Sequence, residues 1–172
     1  MIKYVFLALI FILTTYIGSI YGSTFKKRLV QLKNLEDSLM TLEHQITYVM
    51  TPLPDGIKYI AEKSKKPLQD YYMEVYKIIE SGRADSPYEA FVTAYDKEKN
   101  NLNLKEEDME IVFDFGKNLG QTSVEGQQKI FTLILERIKK QIKFKEEECV
   151  KNEKLYKYLG VCSGIMIVIF LI

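Results

Sequence analysis

Tryptophan is absent, histidine occurs once and cysteine twice in a chain of 172 residues, and each scarcity narrows what the chain can do. The lone His44 has no cysteine and no second histidine at ligand spacing, so it reads as a surface or edge side chain and not as part of a metal site. Cys149 and Cys162 are 13 residues apart, about 20 Å on one continuous helix, too far to bridge within a molecule, and they read as free thiols. Charge of one sign is also missing. The balance of 24 basic and 23 acidic residues leaves a net charge of +1, which excludes the strong global field that recruits nucleic acid. No bounded period-2 alternation marks a strand, and there is no Gly-Ser linker and no repeat. Catalytic signatures are missing as well. There is no Gly-x-Ser-x-Gly elbow, and the Gly116-x-x-x-Gly120 spacing lacks the Gly-Lys-Ser/Thr that a phosphate loop needs. Two acid clusters remain. Glu106-Glu107-Asp108 opens a helix, where the macrodipole favours carboxylates, and Glu146-Glu147-Glu148 sits among lysines on a solvated helix. No metal and no cofactor is expected.

What is present is grease at both ends. Residues 4–21 form an 18-residue run without a charge, close to the length that crosses a hydrocarbon core of about 30 Å. A cleaved leader is the rival. Against it, the run exceeds the usual apolar stretch of roughly 7–15 residues, and the basic residues are denser after it than before it. The tail, residues 158–172, is charge-free for 15 residues and reaches about 22 Å, so spanning calls on snorkelling by Lys157 and local thinning of the bilayer. Lys26, Lys27, Arg28 and Lys33 follow the first run, while Lys151, Lys154 and Lys157 precede the second. Both inner flanks are basic, which places the middle of the chain in the cytoplasm and both ends across the membrane. Tyr4, Tyr16, Tyr21, Tyr156 and Tyr158 lie near the ends of these runs, as interfacial tyrosines do.

Between the runs the pattern is helical. Leu32, Leu35, Leu39, Leu42, Ile46 and Val49 step by threes and fours, a seam for packing on other helices. Thr51-Pro52-Leu53-Pro54-Asp55-Gly56 ends it, because proline lacks the amide donor and restricts its predecessor. Helices are expected over residues 57–63, 68–81 with Gly82 as stop, 87–99 behind an Asp85-Ser86 cap, and 104–119. Residues 120–123 close that last helix and cap the next. A final helix carries Phe131, Leu135, Ile138 and Ile142 on one stripe, continues through charged residues 143–157, and enters the apolar tail. The expectation is an all-α protein: a roughly six-helix antiparallel bundle over residues 23–154, flanked by transmembrane helices over 1–22 and 155–172. Gly160-x-x-x-Gly164 could let two spans approach closely.

Leu42-Glu43 with Ile46, Tyr48 and Thr51-Pro52-Leu53, then Phe115-Gly116 with Leu119-Gly120, Gln127-Gln128-Lys129, and Lys151-Asn152-Glu153-Lys154 with Leu159-Gly160, form an ordered set that resembles the stage III sporulation protein AB family over nearly the whole chain. That family is similar to the inner-membrane platform protein of type II secretion and type IV pilus systems. The resemblance implies a place in the outer forespore membrane, with the domain on the mother-cell side. It also implies membership of a channel-like complex that works with a cytosolic secretion-type ATPase and other stage III sporulation proteins. It carries no chemical role for any residue. Physically, Thr51, Leu53, Phe115, Gly116, Leu119 and Gly120 read as turn and hairpin positions. Glu43, Tyr48, Pro52 and Pro54 are the candidate protein contact, because neither Glu43 nor Tyr48 is needed by the seam. Two functions of different class follow. One is a non-enzymatic membrane scaffold, whose partners are the membrane, the ATPase, sister complex proteins and a second copy of the chain. The other is a membrane-tethered sensor with a ligand or peptide groove lined by Tyr71, Tyr72, Tyr76 and Tyr95.

Overall fold

The computed structural model describes residues 2–119 and 124–171. It has six helices: α1 (Ile2–Thr47), α2 (Leu53–Lys63), α3 (Leu68–Glu80), α4 (Pro87–Glu98), α5 (Glu106–Asn118) and α6 (Val124–Leu171), with no strand among the described residues. The expected all-α architecture is what the chain forms. The expected closing turn over residues 120–123, with Gly120 and the Ser123 cap, lies outside the described residues. Contacts divide the chain into two compact units, one of residues 30–142 and one of residues 1–29 with 143–172.

In the unit of residues 30–142, the α1 seam supplies the floor of the core: Leu32, Leu35, Leu39 and Leu42 are all fully buried. Successive helices α2, α3, α4 and α5 pack on their neighbours. Phe91 of α4, Phe115 of α5 and Phe131 of α6 form a chain of rings, with centroids 6.2 and 4.7 Å apart. The α6 stripe is buried as its spacing predicts, with Phe131 and Ile138 completely enclosed. Polar ties lock the register. Asp108 Oδ1 accepts from Gln141 Nε2 at 2.9 Å and Asp114 Oδ2 from Arg137 at 2.9 Å, so α5 and α6 run antiparallel. Across 72 residues of sequence, the Asn103 N–H donates to Gln31 Oε1 at 2.7 Å, fixing the α4–α5 loop to α1.

The helix ends follow local chemistry. Gly82 sits at φ +63°, and the Gly82 and Arg83 N–H groups bond to Ile79 O and Ile78 O at 3.1 and 3.2 Å, the paired capping bonds that a left-handed glycine permits. Ser86 caps α4 by accepting from the Glu89 N–H at 3.3 Å, with Pro87 next in line. Three expectations need correction. Val49 is outside the seam, because α1 stops at Thr47 and Val49 is 53% exposed. The helix expected from residue 57 begins at Leu53, since Pro54 falls in its first turn, where a missing N–H breaks no bond. Residues 143–157 are less solvated than their charge suggests: Cys149 is buried, and the Lys145 side chain is 11% exposed.

In the other unit, the start of α1 lies antiparallel along the end of α6. A β carbon on Gly18 would fall 2.7 Å from Tyr156 O and 2.9 Å from Gly160 Cα, and one on Gly164 would fall 2.5 Å from Thr14 Oγ1. The two backbones therefore touch where side chains are missing. Leu7 is buried, whereas Phe6, Ile12, Tyr16 and Ile17 are each more than half exposed. Among the described residues one helix, α1, is long and apolar enough to cross a membrane, and 17% of its apolar window is buried. Among the described residues, nothing covers the rest of that face.

Candidate functional site

The conspicuous surface of the bundle is where α1 ends. His44 O accepts from both the Tyr48 and Val49 N–H groups, at 3.1 and 3.2 Å, and helical bonding stops there. Met50 then takes φ +60°, a left-handed conformation that side chains other than glycine seldom adopt, and one that a surrounding structure must impose. Gln45 imposes it from below. Its backbone O accepts from the Thr51 N–H at 2.9 Å, and its Oε1 accepts from Thr51 Oγ1 at 3.0 Å. Pro52, extended at ψ 145°, caps α2, and its carbonyl receives the Gly56 N–H at 2.9 Å. The turn is thus held at both sides.

Its outer residues are apolar. Tyr48, Val49 and Met50 are 70, 53 and 68% exposed, three adjacent side chains of a kind that a monomer ordinarily hides. Beside them lies a cavity of about 320 Å³ lined by Ile46, Met50, Thr51, Leu53, Leu119 and Gln127. The fold therefore brings Thr51 and Leu53 of the first turn together with Leu119 of the α5 end. Phe115 and Gly116 are about one turn before Leu119 and inside: Phe115 is in the ring chain, and Gly116 faces Phe91 and Tyr88. Gly120 is among the undescribed residues. Pro54 lies in the first turn of α2.

Glu43 stands one turn before the end of α1, and Thr47 Oγ1 donates to its backbone carbonyl at 2.7 Å. Partial burial raises its carboxyl above the usual 4.5, with Lys139 of α6 opposing the shift. The Tyr48 ring lies 5.7 Å from that of His44. Glu43 and Tyr48 thus both belong to this end of the bundle, but they face different neighbours. Sequence reasoning set Val49 in the seam and passed over Met50. The signal that could have found them is an apolar triplet placed directly after a helix and directly before Thr-Pro.

Among the described residues no three His, Cys, Asp or Glu side chains gather to hold a metal ion. The tyrosines proposed as a sensor pocket are divided between core and surface. Tyr71 and Tyr72 are fully buried, Tyr95 packs edge-on to Phe113 at 5.7 Å, and Tyr76 donates to Glu80 at 2.6 Å on the outside.

A helical bundle, an unpartnered apolar helix face and an exposed apolar turn together define a membrane-associated, all-helical protein. Comparison with known proteins gives the particular family. The profile of stage III sporulation protein AB matches residues 3–172, and the chain belongs to that family. The stage III sporulation protein AB of Bacillus subtilis (strain 168) is 28% identical over 171 residues, covering 99% of each chain. A solved structure of stage III sporulation protein AB (SpoIIIAB) superposes with a TM-score of 0.66 at 27% identity, covering 72% of this chain and 97% of that one. These relatives are named as sporulation proteins and not as enzymes.

Proposed function

We propose that this chain is a non-enzymatic scaffold of a sporulation complex, anchored in the membrane by both ends, which docks a cytosolic secretion-type ATPase and membrane partners through the end of its bundle. The observation that carries the docking reading is the Tyr48-Val49-Met50 turn, exposed and apolar, held in a left-handed bend by Gln45 and set beside a cavity. Exposed aromatic and apolar side chains beside a pocket are what protein contacts use as anchors. Double anchoring is supported by the register of the two end helices. Gly18 meets Gly160 and Phe11 meets Gly164, so the charge-free tail runs alongside the first apolar run and shares its depth. A domain held at two points loses less orientational freedom when a large partner docks. The outer forespore membrane, with the domain toward the mother cell, is the setting we propose from the family.

The test changes the contact without changing the fold. Glu43→Ala with Tyr48→Ala should leave the melting temperature within about 2 °C, because surface changes move stability by less than about 0.5 kcal/mol. Co-purification of complex partners from sporulating cells should fall severalfold. Undiminished recovery of partners would count against this surface.

A further inference from the structure

The helix pair ends in a collar of bases that the docking reading does not use. Lys26, Lys27, Lys151, Lys154 and Lys157 are all exposed; Glu153 lies among them and pairs with Lys157 at 2.7 Å, and Glu146, Glu147 and Glu148 stand about one turn before Lys151. The lysines come from segments more than a hundred residues apart, and the fold gathers them at one end of the helix pair, over roughly 13 Å of its axis. A β carbon on Gly22 would lie 3.3 Å from Glu153 O, and the charge of Lys26 acts on both Glu153 and Cys149. The α6 lysines occupy about 9 Å of helix axis. Directly below, Tyr16, Tyr21 and Tyr158 are each at least 60% exposed on the flanks of the apolar pair.

A bias of lysines after a span orients a chain during insertion, but it does not require that two separate segments gather their lysines around one end of a helix pair. We propose that this collar binds the acidic phospholipids of the adjoining leaflet, so that the anchor selects anionic over zwitterionic lipid. The inference rests on the anchoring reading above. Long lysine stems reach from helix to headgroup level, the phosphate layer carries the opposite sign, and Tyr21 and Tyr158 stand at the edges of the apolar runs, as interfacial tyrosines do. A collar of point charges that turn freely fits a fluid layer of phosphates better than one fixed ligand, since lysine imposes no bidentate geometry.

The full chain, reconstituted into phosphatidylcholine vesicles, can be probed with spin-labelled lipids, whose motionally restricted fraction reports contact with the protein. Spin-labelled phosphatidylglycerol should be preferred over spin-labelled phosphatidylcholine by about fivefold at low salt, the ratio that one near-surface base supplies. The preference should fall toward one in 0.5 M salt, where the screening length is down to roughly 4 Å. Lys26→Gln with Lys27→Gln, Lys151→Gln and Lys154→Gln should abolish the preference, and the four corresponding Lys→Arg changes should keep it, with helix content by circular dichroism unchanged in both. Equal restriction of the two lipids by the unaltered protein overturns the lipid inference and leaves anchoring intact. No restricted fraction with either lipid overturns both. Competition by millimolar glycerol phosphate would assign the collar to a discrete phosphate site and so overturn the leaflet as its occupant.

Discussion

At the scale of single residues, Gly116 shows how tightly the bundle is closed. A β carbon there would sit 2.8 Å from Phe91 Cδ2 and 3.0 and 3.1 Å from the backbone Cα and N of Tyr88. A phenyl ring can turn aside, but the start of α4 cannot. Gly116→Ala should therefore destabilise the full chain in detergent micelles by about 1–3 kcal/mol, as overpacked cores do, read as a lower urea midpoint. Unchanged stability would mean that α4 and α5 approach less closely than described. The sequence reading set Gly116 among the turn and hairpin positions; in the structure it lies within α5, against Tyr88 and Phe91. The left-handed turn at Met50 was not legible in the sequence, because a positive φ without glycine leaves no compositional trace and arises from the Gln45 bonds around it.

At the scale of elements, α5 is fastened to α6 through Asp114, which lies between Lys117 at 3.1 Å and Arg137 at 2.9 Å. Hydrogen bonds first from Arg137 and then from Lys117 hold its carboxyl below the usual 3.8. A carboxyl whose pKa is lower in the folded chain stabilises that chain fully above its unfolded value and loses the contribution as pH falls through the folded one. Acid unfolding should thus include a step below pH 3.8 that Asp114→Asn removes, with a small loss of stability at pH 7 because the pair is open to solvent. A pH profile of the variant that overlays the original would contradict this. The seam from Leu32 to Leu42 could be read from spacing because burial alone dictates it. The start of α2 could not, since proline forbids helix interiors yet suits first turns. The burial of Cys149 and Lys145 was hidden for another reason: the period of α6 says that a face is weak, but not that α1 lies against it.

At the scale of the whole molecule, the all-α class and the long apolar start were plain from patterning, and the family resemblance carried sporulation, which no periodicity encodes. The pairing of the two ends was not visible in either run taken alone. It depends on glycines meeting across a separation of about 140 residues, here Gly18 with Gly160. The topology proposed above, with the middle of the chain in the cytoplasm and both ends across the membrane, has a direct test. Alkaline phosphatase, which needs an oxidising compartment for its disulfides, should be inactive when fused after Asn101 and active when fused after Ile172. Activity at Asn101 would reverse the assignment. The same pairing constrains how the chain can change in length. Deleting one residue between Gly160 and Gly164 would bring Ile165 to the place of Gly164, setting a branched side chain against Thr14. Each residue removed there turns the rest of the tail by about 100° and draws it in by about 1.5 Å, so the four-residue spacing of the two glycines is fixed by the helix it packs against.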